Sequence, residues 1–280
     1  MDVKTQLKRV RHSWRRGTAR RQWGTAALAA SPAVLGNAMP KSGSHLISQV
    51  LQGLPQVGPF VDPGYPPVNR DQANAKLDDD TVLANLRGMQ PGDLRYGYVQ
   101  AREPFLSLLG ETGRATIFVY RDPRDVIVSH VFYAADLHPG HALHRYYNEQ
   151  LTTMEQRIDA AIDGVDEPGA ELSPIRAKYE NYLAWLDQPW ALCLKFEELI
   201  LNRDIALGQL LDYLEARGFK HVLPRASALA ALAQAIEPKR SGTFRKGQPG
   251  GWREHFTPAN IRHFEQAAGD LLARLGYANG

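Results

Sequence analysis

Thr116-Ile-Phe-Val-Tyr120 is a near-continuous apolar run with no polar face to offer water. A strand of that kind fits a sheet covered on both sides, which means parallel strands flanked by helices. Ala33 to Met39, ended by Pro40, and Trp190 to Phe196 read as two further short strands. Segments of helical period surround them. Ser44 to Leu54 places Leu46, Ile47, Val50, Leu51 and Leu54 on one face, and Asp204 to Arg217 does the same with Leu207, Leu210, Leu211 and Leu214 before Gly218. Further helices are expected over Asp79 to Gly88, Asp125 to Ala134, Tyr146 to Asp163 and Pro174 to Leu186. A last one runs from Thr257 as N-cap, with Pro258 in the first turn, to Leu275. This alternation predicts an α/β fold, a single domain with a central, mostly parallel sheet flanked by helices. Pro55 to Gly97 is otherwise rich in Pro, Gly, Asp and Asn, and irregular segments this long tend to be functional or disordered.

The charge is unevenly spread. Residues 1 to 23 carry eight Lys/Arg against the single acid Asp2, a net +7, while the whole chain carries +3, so the remainder is mildly acidic at −4. The chain therefore divides into a basic N-terminal arm, 1–23, and a domain, 24–280. The arm reads as a solvated extension, with peripheral docking on an acidic membrane surface or partner as the alternative; no nucleic acid is expected. No apolar run approaches the roughly 18 to 20 residues that span a bilayer; the longest, Ala26 to Leu35, is broken by Ser31 and Pro32. A lone cysteine, Cys193, excludes an internal disulfide, and a reducing cytoplasm is the default expectation.

Three segments carry chemistry. Pro40-Lys41-Ser42-Gly43-Ser44-His45-Leu46 joins the first strand to a helix, an arrangement that aims backbone N–H groups and a helix N-terminus at one anion. It is not a Walker A loop, because its lysine precedes the glycine; that order disfavours an ATP-dependent kinase. Tyr120-Arg121-Asp122-Pro123-Arg124-Asp125 sets Arg121 at the end of the buried strand, with Ser129 on the next helix. Strand ends in such sheets are where ligands collect. Phe244-Arg245-Lys246-Gly247-Gln248-Pro249-Gly250-Gly251-Trp252 is a basic, glycine-rich loop. His138, His141 and His144 share another segment, but Pro139 and Gly140 keep them off one regular helix, and it reads as an acceptor-site lid rather than a metal site.

Together, and in this order, the three segments resemble the soluble sulfotransferases, which use 3′-phosphoadenosine-5′-phosphosulfate (PAPS) and release adenosine 3′,5′-bisphosphate (PAP). That family has a P-K-S-G-T-T-like loop, an R-x-P-x-D-x-x-x-S segment and a late R-K-G-x-x-G-x-W loop on a P-loop-NTPase-like fold. The resemblance implies that Lys41, Ser42, Gly43, Ser44 and His45 surround the 5′-phosphosulfate. Arg121 and Ser129, joined by Arg245, Lys246 and Gly247, would hold the 3′-phosphate. Phe196 matches an aromatic position near the adenine, where Tyr is usual. No metal is implied. The family's short dimer motif is only half kept, with Arg253 and Thr257 fitting but Pro258 and Arg262 departing from it, so the oligomeric state stays open.

One departure bears on catalysis. The family's general-base histidine aligns with Tyr98, and a tyrosine hydroxyl is ordinarily a poor base at neutral pH. Three accounts are open: Tyr98 activated by neighbours such as Arg95, another base such as His45, Glu103 or His130, or a phenol-like acceptor that needs little help. The expected reaction is sulfuryl transfer to a hydroxyl, less readily an amine, of a small molecule or glycolipid, with Lys41 at the leaving group. The alternative is a nucleotide-binding protein of the same fold with weak or no transferase activity.

Overall fold

In this computed structural model residues 3–64, 67–71, 74–237 and 248–278 are described, with side chains from residue 10 onward. The chain opens with helices α1 (Val3–Trp23) and α2 (Thr25–Ala30), strand β1 (Ala33–Ala38) and helices α3 (Ser44–Val57) and α4 (Asp79–Arg87). Then come β2 (Leu94–Gly97), α5 (Phe105–Leu109), β3 (Arg114–Tyr120), α6 (Pro123–Phe132), α7 (Met154–Asp163) and α8 (Ile175–Leu183). β4 (Ala191–Lys195), α9 (Phe196–Leu201), α10 (Arg203–Glu215), α11 (Arg225–Ala235), α12 (Pro258–Ala268) and α13 (Leu271–Arg274) complete it. These elements gather into two compact units, one drawn from Met1–Tyr120 and Ala184–Arg240, the other from Arg121–Leu183 and Ser241–Gly280.

The first unit contains the whole sheet, four parallel strands in the order β2-β1-β3-β4. Every residue of β1 is buried, and Gly36 stands opposite Tyr96 on one side and Ile117 on the other. α3 lies directly on this strand. A Cβ at Gly36 would come within 2.8 Å of Leu51 and 2.9 Å of Ile47, so only glycine lets the helix approach this closely. The face of α3 read from its spacing is the buried one, together with the leucines of α10. The order places β1 between the strand that follows it and the strand after that. The turn leaving β1 therefore sits where the connections diverge to either side, the position at which open α/β sheets form a crevice.

β2 is the strand the sequence pattern does not announce. It is an edge strand with Arg95 and Tyr96 only half buried, so it lacks an apolar run. The basic segment, expected as a solvated extension, forms α1 and is tied down along one side. The Asp93 carboxylate, nearly buried, takes Arg16 at 2.7 Å and His12 at 3.1 Å. Arg16 also donates to the Pro91 carbonyl at 2.8 Å and Arg15 to that of Pro63 at 2.6 Å, while Ala19 packs with Leu28 and Val61. No described helix is long and apolar enough to cross a membrane.

The second unit is helical. The helix expected over Tyr146 to Asp163 is interrupted: a π-helical turn over Tyr146–Gln150 is followed by a fresh start at Thr153. There the Thr153 side chain accepts the Gln156 N–H, and the Gln156 side chain accepts the Thr153 N–H. The last helix likewise stops at Ala268, where Gly269 takes a positive φ of 57°, before the short α13. α12 and α7 are joined by Asn260, fully buried, which donates to Asp159 at 2.8 Å and to the Glu155 carbonyl at 3.2 Å.

Candidate active site

Within the first unit, the turn from β1 into α3 is held in an unusual backbone. Lys41 has φ 70° and Gly43 φ 107°, two left-handed residues in three, a backbone of the kind that forms anion-binding concavities, while the Ser42 N–H donates to the Met39 carbonyl at 3.1 Å. Helix α3 begins without a side-chain cap, leaving its first N–H groups for an external partner. The Ser42 hydroxyl is buried with no hydrogen-bond partner among the described residues. A Cβ at Gly43 would meet the Phe196 ring at 2.8 Å, so Phe196, at the start of α9, supports the loop from beneath while belonging to the main core. Lys41 is half buried. The His45 ring retains solvent contact, yet the atoms crowded around it hold its pKa below the ordinary 6.5, and the Lys41 charge lowers it further.

Tyr98 reaches this loop. Its hydroxyl donates to Ser44 Oγ at 3.1 Å, which sets it over the first turn of α3. The segment carrying it leaves β2 and is clamped by two asparagines that the sequence reading did not single out. Asn69 accepts the Tyr98 N–H at 3.1 Å and donates to the Tyr98 carbonyl at 2.8 Å. One residue on, Asn37 of β1, wholly buried, accepts the Val99 N–H at 2.8 Å and donates to its carbonyl at 2.9 Å; the indole N–H of Trp185 adds a third bond at 3.0 Å. An amide inside Ala-Val-Leu-Gly-Asn-Ala was the available signal, since a buried polar side chain needs a partner. Arg70 lies 5.9 Å from the centre of the Tyr98 ring. Glu103 caps α5 instead, accepting the Ser107 hydroxyl at 2.6 Å.

The second unit holds the other sequence-predicted residues. Arg121 follows β3, with its carbonyl accepting the Tyr179 hydroxyl at 2.7 Å and its guanidinium 3.5 Å from the buried Asp125 carboxylate. Ser129 lies half buried two turns along α6. Arg245, Lys246 and Gly247 lie outside the described residues. The Gln248 carbonyl is 3.5 Å from Arg121, and the segment that follows is fastened at once: Asp125 accepts the Gly250 N–H at 2.8 Å and the Trp252 N–H at 2.9 Å. Trp252 is buried between two guanidiniums, Arg124 at 4.0 Å and Arg253 at 4.5 Å from its ring centre. His130, His138 and His141 pack against one another and against Tyr133 and Tyr147, mostly edge to face, at ring separations of 5.3 to 6.2 Å.

Residues 113–276, more than half of the chain, match the sulfotransferase domain family. The chain belongs to that family. It is a PAPS-dependent sulfotransferase, and the product of the donor is PAP. The turn after β1 precedes the matched span. Solved structures share the fold of this sulfotransferase at low identity. Mouse sulfotransferase SULT7A1 complexed with PAP is 17% identical with a TM-score of 0.61, over 92% of this chain and 90% of that one. Retinol dehydratase in complex with androsterone and inactive cofactor PAP is 17% identical at 0.54, over 85% and 80%. The same enzyme with retinol and PAP gives 17% and 0.52, over 86% and 82%. Comparison with curated proteins finds no match. The turn suits the anionic end of such a donor: it offers a buried hydroxyl with no partner among the described residues, helix N–H groups without a side-chain cap and a lysine, all of them donors.

Proposed function

We propose that this sulfotransferase moves the sulfuryl group of PAPS to a hydroxyl of a small-molecule or glycolipid acceptor, with the turn Lys41–His45 holding the 5′-phosphosulfate. Arg121 and Ser129 serve the 3′-phosphate, as do Arg245, Lys246 and Gly247. The observation that carries this reading is the Tyr98 hydroxyl bonded to Ser44 at the first turn of α3, beside the buried Ser42 hydroxyl. It supports a site in which an acceptor group and the anion-binding turn share one edge of the sheet.

When bound, PAPS supplies the sulfuryl group and the phosphate leaving group. In this chain Lys41 places a positive charge where the leaving oxygen gains negative charge, and the Ser42 hydroxyl and the first N–H groups of α3 donate to sulfuryl oxygens. Tyr98 orients the acceptor hydroxyl. His45, its pKa lowered by its crowded setting and by Lys41, is neutral at pH 7 and therefore able to accept the proton the acceptor gives up. Phe196, packed against Gly43, keeps the turn in shape and presents an aromatic edge where the family places one near the adenine.

Labelled PAPS incubated with a panel of phenols, alcohols, amines and glycolipids tests the reading. Sulfated product is the expected outcome, and Lys41→Ala should lower turnover by ~100-fold or more while donor affinity falls less. Tight PAP binding with no turnover across the panel would favour a nucleotide-binding protein without transferase activity, the alternative that Tyr98 in the histidine's place motivates.

A further inference from the structure

α1 is anchored on one side and bare on the other. At ~100° per residue, Val10, Trp14 and Arg21 fall within about 40° of one another, directly opposite His12, Ala19 and Trp23. The inner side is consumed by the Asp93 pairs, the Pro63 and Pro91 carbonyls and the small cluster with Leu28. The outer side leaves Val10 68% and Trp14 70% exposed, with the exposed Arg11 and Arg20 to either flank and Arg21 in line. The single acid of the segment is Asp2. Trp14 alone among the five tryptophans is exposed.

We propose that the outer side of α1 docks the enzyme on an anionic lipid surface, with the helix lying in the plane of the headgroups. An apolar strip of two side chains is too narrow to cross a bilayer or to drive burial against another protein. It is what an interfacial helix needs: Trp14 and Val10 enter the boundary between headgroups and acyl chains, and the arginines meet the lipid phosphates and carboxylates. Arg15 and Arg16 are not available for this task, because they hold the helix to the domain, and that attachment makes α1 a rigid foot rather than a loose tether.

The test uses the full chain with phosphatidylcholine vesicles, with and without phosphatidylserine, followed by co-sedimentation and by quenching of tryptophan fluorescence with brominated lipid. Wild type should bind the phosphatidylserine vesicles, weakly at high salt, with quenching that disappears in Trp14→Ser. Arg20→Gln with Arg21→Gln should weaken binding roughly 10- to 30-fold, from about a factor of five for each basic residue near a charged surface. All these side chains are exposed, so melting temperature and turnover on dissolved acceptors should stay at wild-type values, which separates docking from folding and from the chemistry. Equal binding to both vesicles, no binding, or binding without quenching would each overturn the proposal. So would binding to poly-glutamate or RNA in preference to vesicles, which would make the partner an acidic macromolecule.

Discussion

Replacing Asp125 by asparagine is the most informative single change in the second unit. The carboxylate is 2% exposed and accepts two backbone N–H groups, from Gly250 at 2.8 Å and Trp252 at 2.9 Å, with Arg121 3.5 Å away. An asparagine keeps one acceptor oxygen and turns an NH2 group toward the other N–H, so one charge-assisted bond is lost and a donor is left facing a donor. Each bond of that kind is worth about 1.5–3 kcal/mol, and an orphaned buried donor costs about 1–3 kcal/mol, so unfolding free energy should fall by roughly 2–4 kcal/mol. Trp252, gripped between Arg124 and Arg253, keeps the far end of the segment in place, so the loosening is felt toward Gly250 and Gln248. Residues 245–247 directly precede that end. If Arg245 and Lys246 serve the 3′-phosphate as proposed, withdrawing about 2 kcal/mol of support from the segment that follows them should weaken PAP about 30-fold. Urea unfolding and PAP calorimetry on Asp125→Asn measure both quantities. Wild-type stability would show that the two bonds do not hold the loop; wild-type affinity in a destabilised variant would remove the loop from the nucleotide.

Asn37→Ala leaves the Val99 N–H buried without its partner, while the carbonyl keeps Trp185. A loss of ~2–4 kcal/mol in urea unfolding is expected, with turnover falling more than donor affinity because Tyr98 is the neighbouring residue. Tyr98→Phe should lower turnover at unchanged donor affinity. If His45 takes the proton, activity falls on acidification through a pKa below 6.5, and that limb vanishes in His45→Asn but persists in Tyr98→Phe; an unaltered limb in His45→Asn excludes His45 as the base. His263 bridges α12 to α7 through Asp159 and Asp163, each at 2.8 Å, and the Asp159 bond chiefly, then Asp163, raise its pKa above 6.5. Its contribution is therefore complete below pH 6.5 and lost as pH rises through the raised value, so the melting temperature of His263→Gln should approach that of wild type at higher pH. A constant gap across the range would show that the imidazole charge is not involved.

Where burial and period coincide, the sequence announces structure. β3 and α3 were legible because their apolar residues leave no other arrangement. β2 was not, since Arg95 and Tyr96 at a sheet edge need no apolar partner. α11 hides for a related reason, with only Ala228 and Leu232 fully inside, so its alanine-rich run shows no stripe. The break before Thr153 was readable in principle, because Thr153 and Gln156 carry the spacing of a reciprocal cap. At the candidate site, the glycine-bearing turn between β1 and α3 could be read from residue types alone, whereas Asn37 and Asn69 act through backbone groups dozens of residues away, at Tyr98 and Val99, and such pairing has no local signature.

The fastening of the second unit has a consequence for how the chain is made. Arg124 and Asp125 are buried. Asp122 pairs with Arg124 locally, at 2.7 Å, but the other groups that satisfy the two residues come late: Gly250, Trp252 and the carbonyl of Ala278, which Arg124 reaches at 3.1 Å. Chains fold domain by domain as they emerge from the ribosome, N-terminal parts first. The sheet of the first unit has its last strand by Lys195. At that moment the Asp125 side chain of α6 still lacks its two late backbone donors, and the indole that will cover Arg124 has not been synthesised. A nascent enzyme thus passes through a stage with a formed sheet and an unfinished helical unit, and only translation through Ala278 ends it.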